Sequence, residues 1–162
     1  MRPVRWTDRP SPDTIEYVAA KRCGRDLLAT SAAGAVRPGL RVLVVDDEPP
    51  IRDIVAEALR EVGWEVDTAS NGAEALERLD QARPDVIVLD LMMPVMDAGA
   101  FTRLLRHNPT AAGVPIVILT AAYAPDDEAA RLGAAVCLTK PFTLEDLIGA
   151  VESAAARAVL SG

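Results

Sequence analysis

Cysteine is nearly absent from this chain. Cys23 and Cys137 are the two in 162 residues, too few and too far apart for a disulfide framework or a cysteine metal cluster. A reducing, cytoplasmic setting is the expectation that follows. Long apolar runs are missing too: the basic N-terminus lacks the continuous hydrophobic stretch of a secretory signal, and nothing elsewhere approaches a membrane span. Positive charge is scarce where the apolar residues concentrate. Residues 40–162 hold ten Lys/Arg against twenty Asp/Glu, net −10, whereas residues 1–39 hold seven against four, net +3. So acidic a main domain argues against direct nucleic-acid binding, since neutralising phosphates takes lysine and arginine. Histidine occurs once, as His107 beside Arg106, where a solvated role is expected rather than phosphohistidine chemistry.

What remains is half apolar and a quarter charged, enough for one soluble domain with a real core. The turn signal Arg37-Pro38-Gly39 coincides with the shift in charge and divides an extension, 1–39, from a domain, 40–160. Within the extension, residues 1–12 read as an arm broken by prolines; residues 13–30 fit a marginal helix capped by Asp13 and an irregular segment equally well. From Leu40 the pattern is regular. Apolar runs at 40–45, 86–89 and 114–119 suit strands buried on both faces, Trp64 to Ala69 alternates like an edge strand, and Ala134 to Leu138 makes a short fifth. Between them lie helical periods. The first is opened by Pro49-Pro50, turns Ile51, Ile54, Val55, Ala58, Leu59 and Val62 inward, and stops at Gly63. Asn71 and Glu74 cap the second, Asp97 the third with Phe101, Leu104 and Leu105 inward; a weak alanine-rich helix falls near 125–132. Thr143 and Asp146 box the last, with Leu144, Leu147, Ile148 and Val151 inward. Five strands alternating with five helices imply an α/β fold with a doubly wound parallel sheet and right-handed crossovers.

In such a sheet, ligands bind at the C-terminal ends of the strands. Five polar residues collect there: Asp46 and Asp47 after the first strand, Asp90 after the third, Thr120 after the fourth and Lys140 after the fifth. Like charges at 4 Å repel by roughly 4 kcal/mol in an intermediate dielectric. A divalent cation with a preference for hard oxygen, Mg²⁺ or Mn²⁺, relieves that repulsion. A carboxylate can also act as nucleophile towards phosphorus, and phosphoryl transfer needs in-line placement and neutralised oxygens more than covalent help. Taken singly, the two leading acids could merely cap the first helix, Thr120 could be a strand-end hydroxyl, and Lys140 a surface lysine.

Together, VLVVDDEP, NGAEAL, PDVIVLDLMMPVMD, PIVILTA and LTKPF, in that order and spacing from about Leu40 to Ala158, resemble the receiver domain of two-component response regulators. The resemblance implies a flavodoxin-like strand order 2-1-3-4-5 with helices on both faces. It also implies that Asp90 is the phosphoacceptor, fed by a sensor histidine kinase or a histidine phosphotransfer protein. By the same resemblance Asp46, Asp47, Asp90 and the Met92 carbonyl hold the cation, Thr120 and Lys140 meet the phosphoryl group, and Lys140-Pro141 is cis. Two positions depart from the family pattern. Ala98 stands where glycine is common, with Gly99 one place later, and Cys137 stands where an aromatic usually forms a switch with the threonine. With Ser161 and Gly162 ending the sequence, the expectation is a stand-alone receiver that signals by phosphorylation-dependent binding to a downstream protein. Dimerisation through the last helices or the extension is left open. An aspartyl-phosphate phosphohydrolase is the enzymatic alternative, but Met92 occupies the place of the second acid such an enzyme wants; a receiver-like module that is never phosphorylated is the third reading.

Overall fold

The computed structural model describes residues 37–91, 98–120 and 130–160. The helix suggested at 13–30, Cys23, the Met92 loop, the Asp97 cap and residues 125–129 of the weak helix lie outside them. Five strands, β1 Arg41–Val45, β2 Glu65–Ala69, β3 Val86–Asp90, β4 Ile116–Thr120 and β5 Val136–Thr139, form one parallel sheet in the order β2-β1-β3-β4-β5. The three central strands are apolar on both sides because helices cover both faces. Helices α1 Pro49–Glu61 and α4 Leu144–Leu160 cover one face, with Val55, Leu59, Leu147 and Val151 packed on Val42, Val44, Val88 and Val117. Helices α2 Gly72–Gln81 and α3 Ala98–His107 cover the other, with Leu79, Phe101 and Leu105 packed on Leu43, Ile87 and Ile118.

The ends of the elements follow local chemistry. Glycine at φ 95° lets Gly63 close α1, its N–H donating to the Arg60 carbonyl. Asn71 caps α2 by accepting from the Glu74 N–H, but the Glu74 carboxylate reaches back past it to Ser70, to both the N–H and the hydroxyl. At α4 the expected box is complete: Thr143 Oγ1 accepts from the Asp146 N–H, and Asp146 accepts from the Thr143 N–H and hydroxyl. Two residues expected inward are not. Ile54 and Leu104 stand 47% and 46% exposed, and Ala56 and Thr102 are buried instead. A period of 3.6 places an apolar residue only to within a residue of the stripe, and small side chains fit where the helices press closest to the sheet. The fifth strand also begins later than its apolar run, at Val136, though the Ala135 N–H already bonds the Ile116 carbonyl.

Arg37 is anchored at the N-terminal ends of the strands. The indole N–H of the buried Trp64 donates to the Arg37 carbonyl at 2.7 Å, and the Arg37 N–H donates to Glu152 of α4 at 3.2 Å. Among the described residues no helix is long and apolar enough to cross a membrane.

Candidate functional site

Parallel register brings the strand ends together. Val45 of β1 pairs with Leu89 of β3, so Asp46 follows β1 beside the place where Asp90 ends β3. Alternation then sorts the side chains by face. Asp46, Asp90 and Lys140 continue the rows of Val44, Val88 and Leu138, on the α1–α4 side, whereas Thr120 continues the row of Ile116 and Ile118. Lys140 crosses to Asp90 at 3.3 Å, an ion pair whose acid is almost wholly buried. Its backbone N–H donates to the Thr120 carbonyl at 2.7 Å, fixing lysine and threonine to one another across β4 and β5. The Lys140-Pro141 peptide is cis.

Asp46, Asp47 and Asp90 each offer one carboxylate oxygen within 4.8 Å of the others. Asp46 divides its two oxygens between structure and chemistry. Oδ1 accepts from the Glu48 N–H at 2.8 Å and so shapes the turn before α1, whose N-cap is Glu48 with no side-chain cap bond, so neither leading acid caps the helix; Oδ2 is buried without a hydrogen-bond partner. Burial, opposed by the Glu48 N–H and abetted by the neighbouring Asp90 charge, pushes the Asp46 carboxyl up to about 6. A buried acceptor left unmatched costs free energy, and three hard carboxylates converging on one point are the donor set of a divalent cation. The residues present therefore fit such an ion. The Met92 carbonyl, expected as a further donor, lies outside the described residues.

The sequence singled out Asp46, Asp47, Asp90 and Lys140, and the structure brings them together, with Thr120 joined to Lys140 through its carbonyl. Cys137 is buried on β5 opposite Ile118, on the Thr120 side of the sheet and in the same apolar layer as Phe101 and Leu105. His107 is exposed, as expected of it. Two supports escaped the sequence reading: the Glu48 N–H that orients Asp46, and Arg52, whose guanidinium donates to the Asp46 carbonyl at 3.0 Å. An acid three places before a proline-opened helix is the signal that could have revealed the first.

A family profile described as the response regulator receiver domain matches residues 42–152. The probable transcriptional regulatory protein TcrX of Mycobacterium tuberculosis is 42% identical over 110 residues, which is 66% of this chain and 46% of that protein. Protein PilG of Pseudomonas aeruginosa is 34% identical over 117 residues, 71% of this chain and 87% of that one. Among solved structures, the chemotaxis protein CheY4 of Vibrio cholerae superposes with a TM-score of 0.67 at 37% identity, covering 71% of this chain and 98% of that one. The Francisella response regulator 1452 receiver domain gives 0.66 at 32% identity, covering 73% and 98%. The chain spans about half the length of the mycobacterial relatives it matches.

Proposed function

The chain belongs to the response regulator receiver domain family, and from that premise we propose that it accepts a phosphoryl group on Asp90 from a histidine kinase or histidine phosphotransfer protein. The observation that carries the reading is the buried Asp90 carboxylate at the end of β3, held 3.3 Å from the Lys140 ammonium beside two further acids. Asp90 supplies the nucleophile: one oxygen attacks phosphorus in line, and the O–P bond forms as the N–P bond to the donor imidazole breaks. The electron pair of the broken bond stays on the imidazole, which leaves neutral when its other ring nitrogen carries a proton. Lys140 then faces negative charge on the phosphoryl oxygens, and the Thr120 hydroxyl donates to one of them. Asp46, Asp47 and Asp90 would hold Mg²⁺ or Mn²⁺, with the Met92 carbonyl; when bound, the ion neutralises charge on the transferring group.

Residues 40–160 act as the receiver and 1–39 as its extension in this reading. Output is a change in binding to a downstream protein, as phosphorylation biases two states of the loops after β4 and β5. Thr120 is the moving group, and Cys137 takes the place of its usual aromatic companion. Treatment with acetyl phosphate and Mg²⁺ is expected to add one acid-labile phosphoryl group, read as a mobility shift on a phosphate-affinity gel. Absence of the shift in the wild type, or its persistence in Asp90→Asn, refutes the assignment.

A further inference from the structure

Single exposed apolar side chains are ordinary on a protein surface. Ile54 of α1 and Leu104 of α3, 47% and 46% exposed, differ in what frames them. Ile54 follows Asp53 and precedes Glu57 by three residues; Leu104 follows Arg103 and precedes His107 by three, and all four flanking residues are exposed. The same spacing thus carries two acids on one helix and, on the other, an arginine and a histidine, the histidine Nδ1 lying 2.7 Å from the Arg103 carbonyl. Among the described residues, Asp53, Glu57 and Arg103 form no ion pair. Helix α3 contains no Asp or Glu at all, although the domain around it has net charge −10. Residues three and four apart share a helix face, so Glu57 lies beside both Asp53 and Ile54, and His107 beside both Arg103 and Leu104.

We propose that the acidic patch of α1 on one copy docks on the basic patch of α3 on a second copy, so that the chain associates with itself head to tail. Laid antiparallel, Ile54 meets Leu104, Arg103 meets Glu57 and His107 meets Asp53. The two patches cannot serve one two-fold dimer through a single face, because α1 and α3 cover opposite sides of the sheet. The contact is therefore heterologous, and association continues past two copies unless a ring closes. One helix against one helix buries far less than the roughly 1,200–2,000 Å² of stable complexes, so the association is weak and depends on salt. It does not depend on phosphorylation of Asp90.

Sedimentation equilibrium of the full chain tests this. At low salt, about 0.05 M, the weight-average mass is expected to rise with concentration beyond twice the 17.2 kDa monomer; at about 1 M salt, where the screening length is about 3 Å, association weakens tenfold or more. Glu57→Lys and Arg103→Glu, both at exposed positions, each stay monomeric. Their equimolar mixture associates again, since one variant keeps the native α1 and the other the native α3. Leu104→Ser repeats the test without changing charge and also stays monomeric. A wild type that is monomeric at about millimolar concentration and low salt, a plateau at the dimer, variants that associate as the wild type does, or a silent mixture overturns the proposal.

Discussion

Replacing Asp46 by asparagine is expected to make the metal-free protein more stable above pH 6 and to deprive it of its response to Mg²⁺. Asp46 is 1% exposed, and its carboxyl is raised from 3.8 to about 6, first by burial. With the folded-state value raised, the group's contribution to stability is fully present below the ordinary carboxylate value and is lost as pH climbs through 6. At about 1.4 kcal/mol per pH unit the loss approaches 3 kcal/mol. Asparagine keeps an oxygen for the Glu48 N–H, bonded at 2.8 Å to Asp46 Oδ1, and turns an amide N–H towards the acids that a carboxylate repels. The expected gain is about 2 kcal/mol near pH 8, or roughly 5–10 °C in melting temperature, vanishing near pH 4. Urea melts followed by tryptophan fluorescence, in chelator and in Mg²⁺, read both effects. Mg²⁺ at a hundredfold its Kd is expected to stabilise the wild type by about 2.7 kcal/mol and the variant by much less. An Asp46→Asn protein less stable than the wild type in chelator near pH 8, or an advantage that is the same near pH 4 and pH 8, refutes the argument.

Two other perturbations probe the opposite face of the sheet. Gly133 holds φ +69°, and a Cβ there would run into the Arg106 guanidinium that donates to the Leu132 carbonyl, so Gly133→Ala costs about 1–3 kcal/mol in urea melts. Adding Arg106→Ala to that variant should recover the steric share and leave the backbone share; no recovery means that the arginine is not the obstacle. Cys137→Tyr forces a ring into a site 2% exposed on β5 beside Ile118 and costs about 1–3 kcal/mol by the same melts, whereas a neutral effect would show spare room on the Thr120 side of the sheet.

The parts legible in the sequence are those set by nearest neighbours along the chain. A run as short as Val86 to Leu89, mostly β-branched and preceded by Pro84-Asp85, suits a strand buried on both faces better than a helix, and the Thr143–Asp146 box declares its helix start in four residues. The acids and lysine were legible because each ends a strand, and parallel strands deliver their ends to one edge. What escaped depends on contacts across the fold. Whether Ile54 or Ala56 turns inward is decided by how closely α1 lies on the sheet, which periodicity does not encode. Nor does the sequence reveal that Glu74 bypasses Asn71 for Ser70, or that the Trp64 indole reaches back twenty-seven positions to Arg37. The split of Asp46 into one occupied and one orphaned oxygen is likewise a matter of geometry.

Helix α4 has mechanical as well as packing consequences. Seventeen residues make a rod of about 25 Å. Its first residue comes four places after Lys140, and near its middle Glu152 holds the N–H of Arg37. A stiff rod converts rotation at one end into displacement along its length: a tilt of about 5° about the centre swings each tip by about 1 Å. Arg37 is thus tethered near the centre of this lever, where translation is least and change of direction is fully felt.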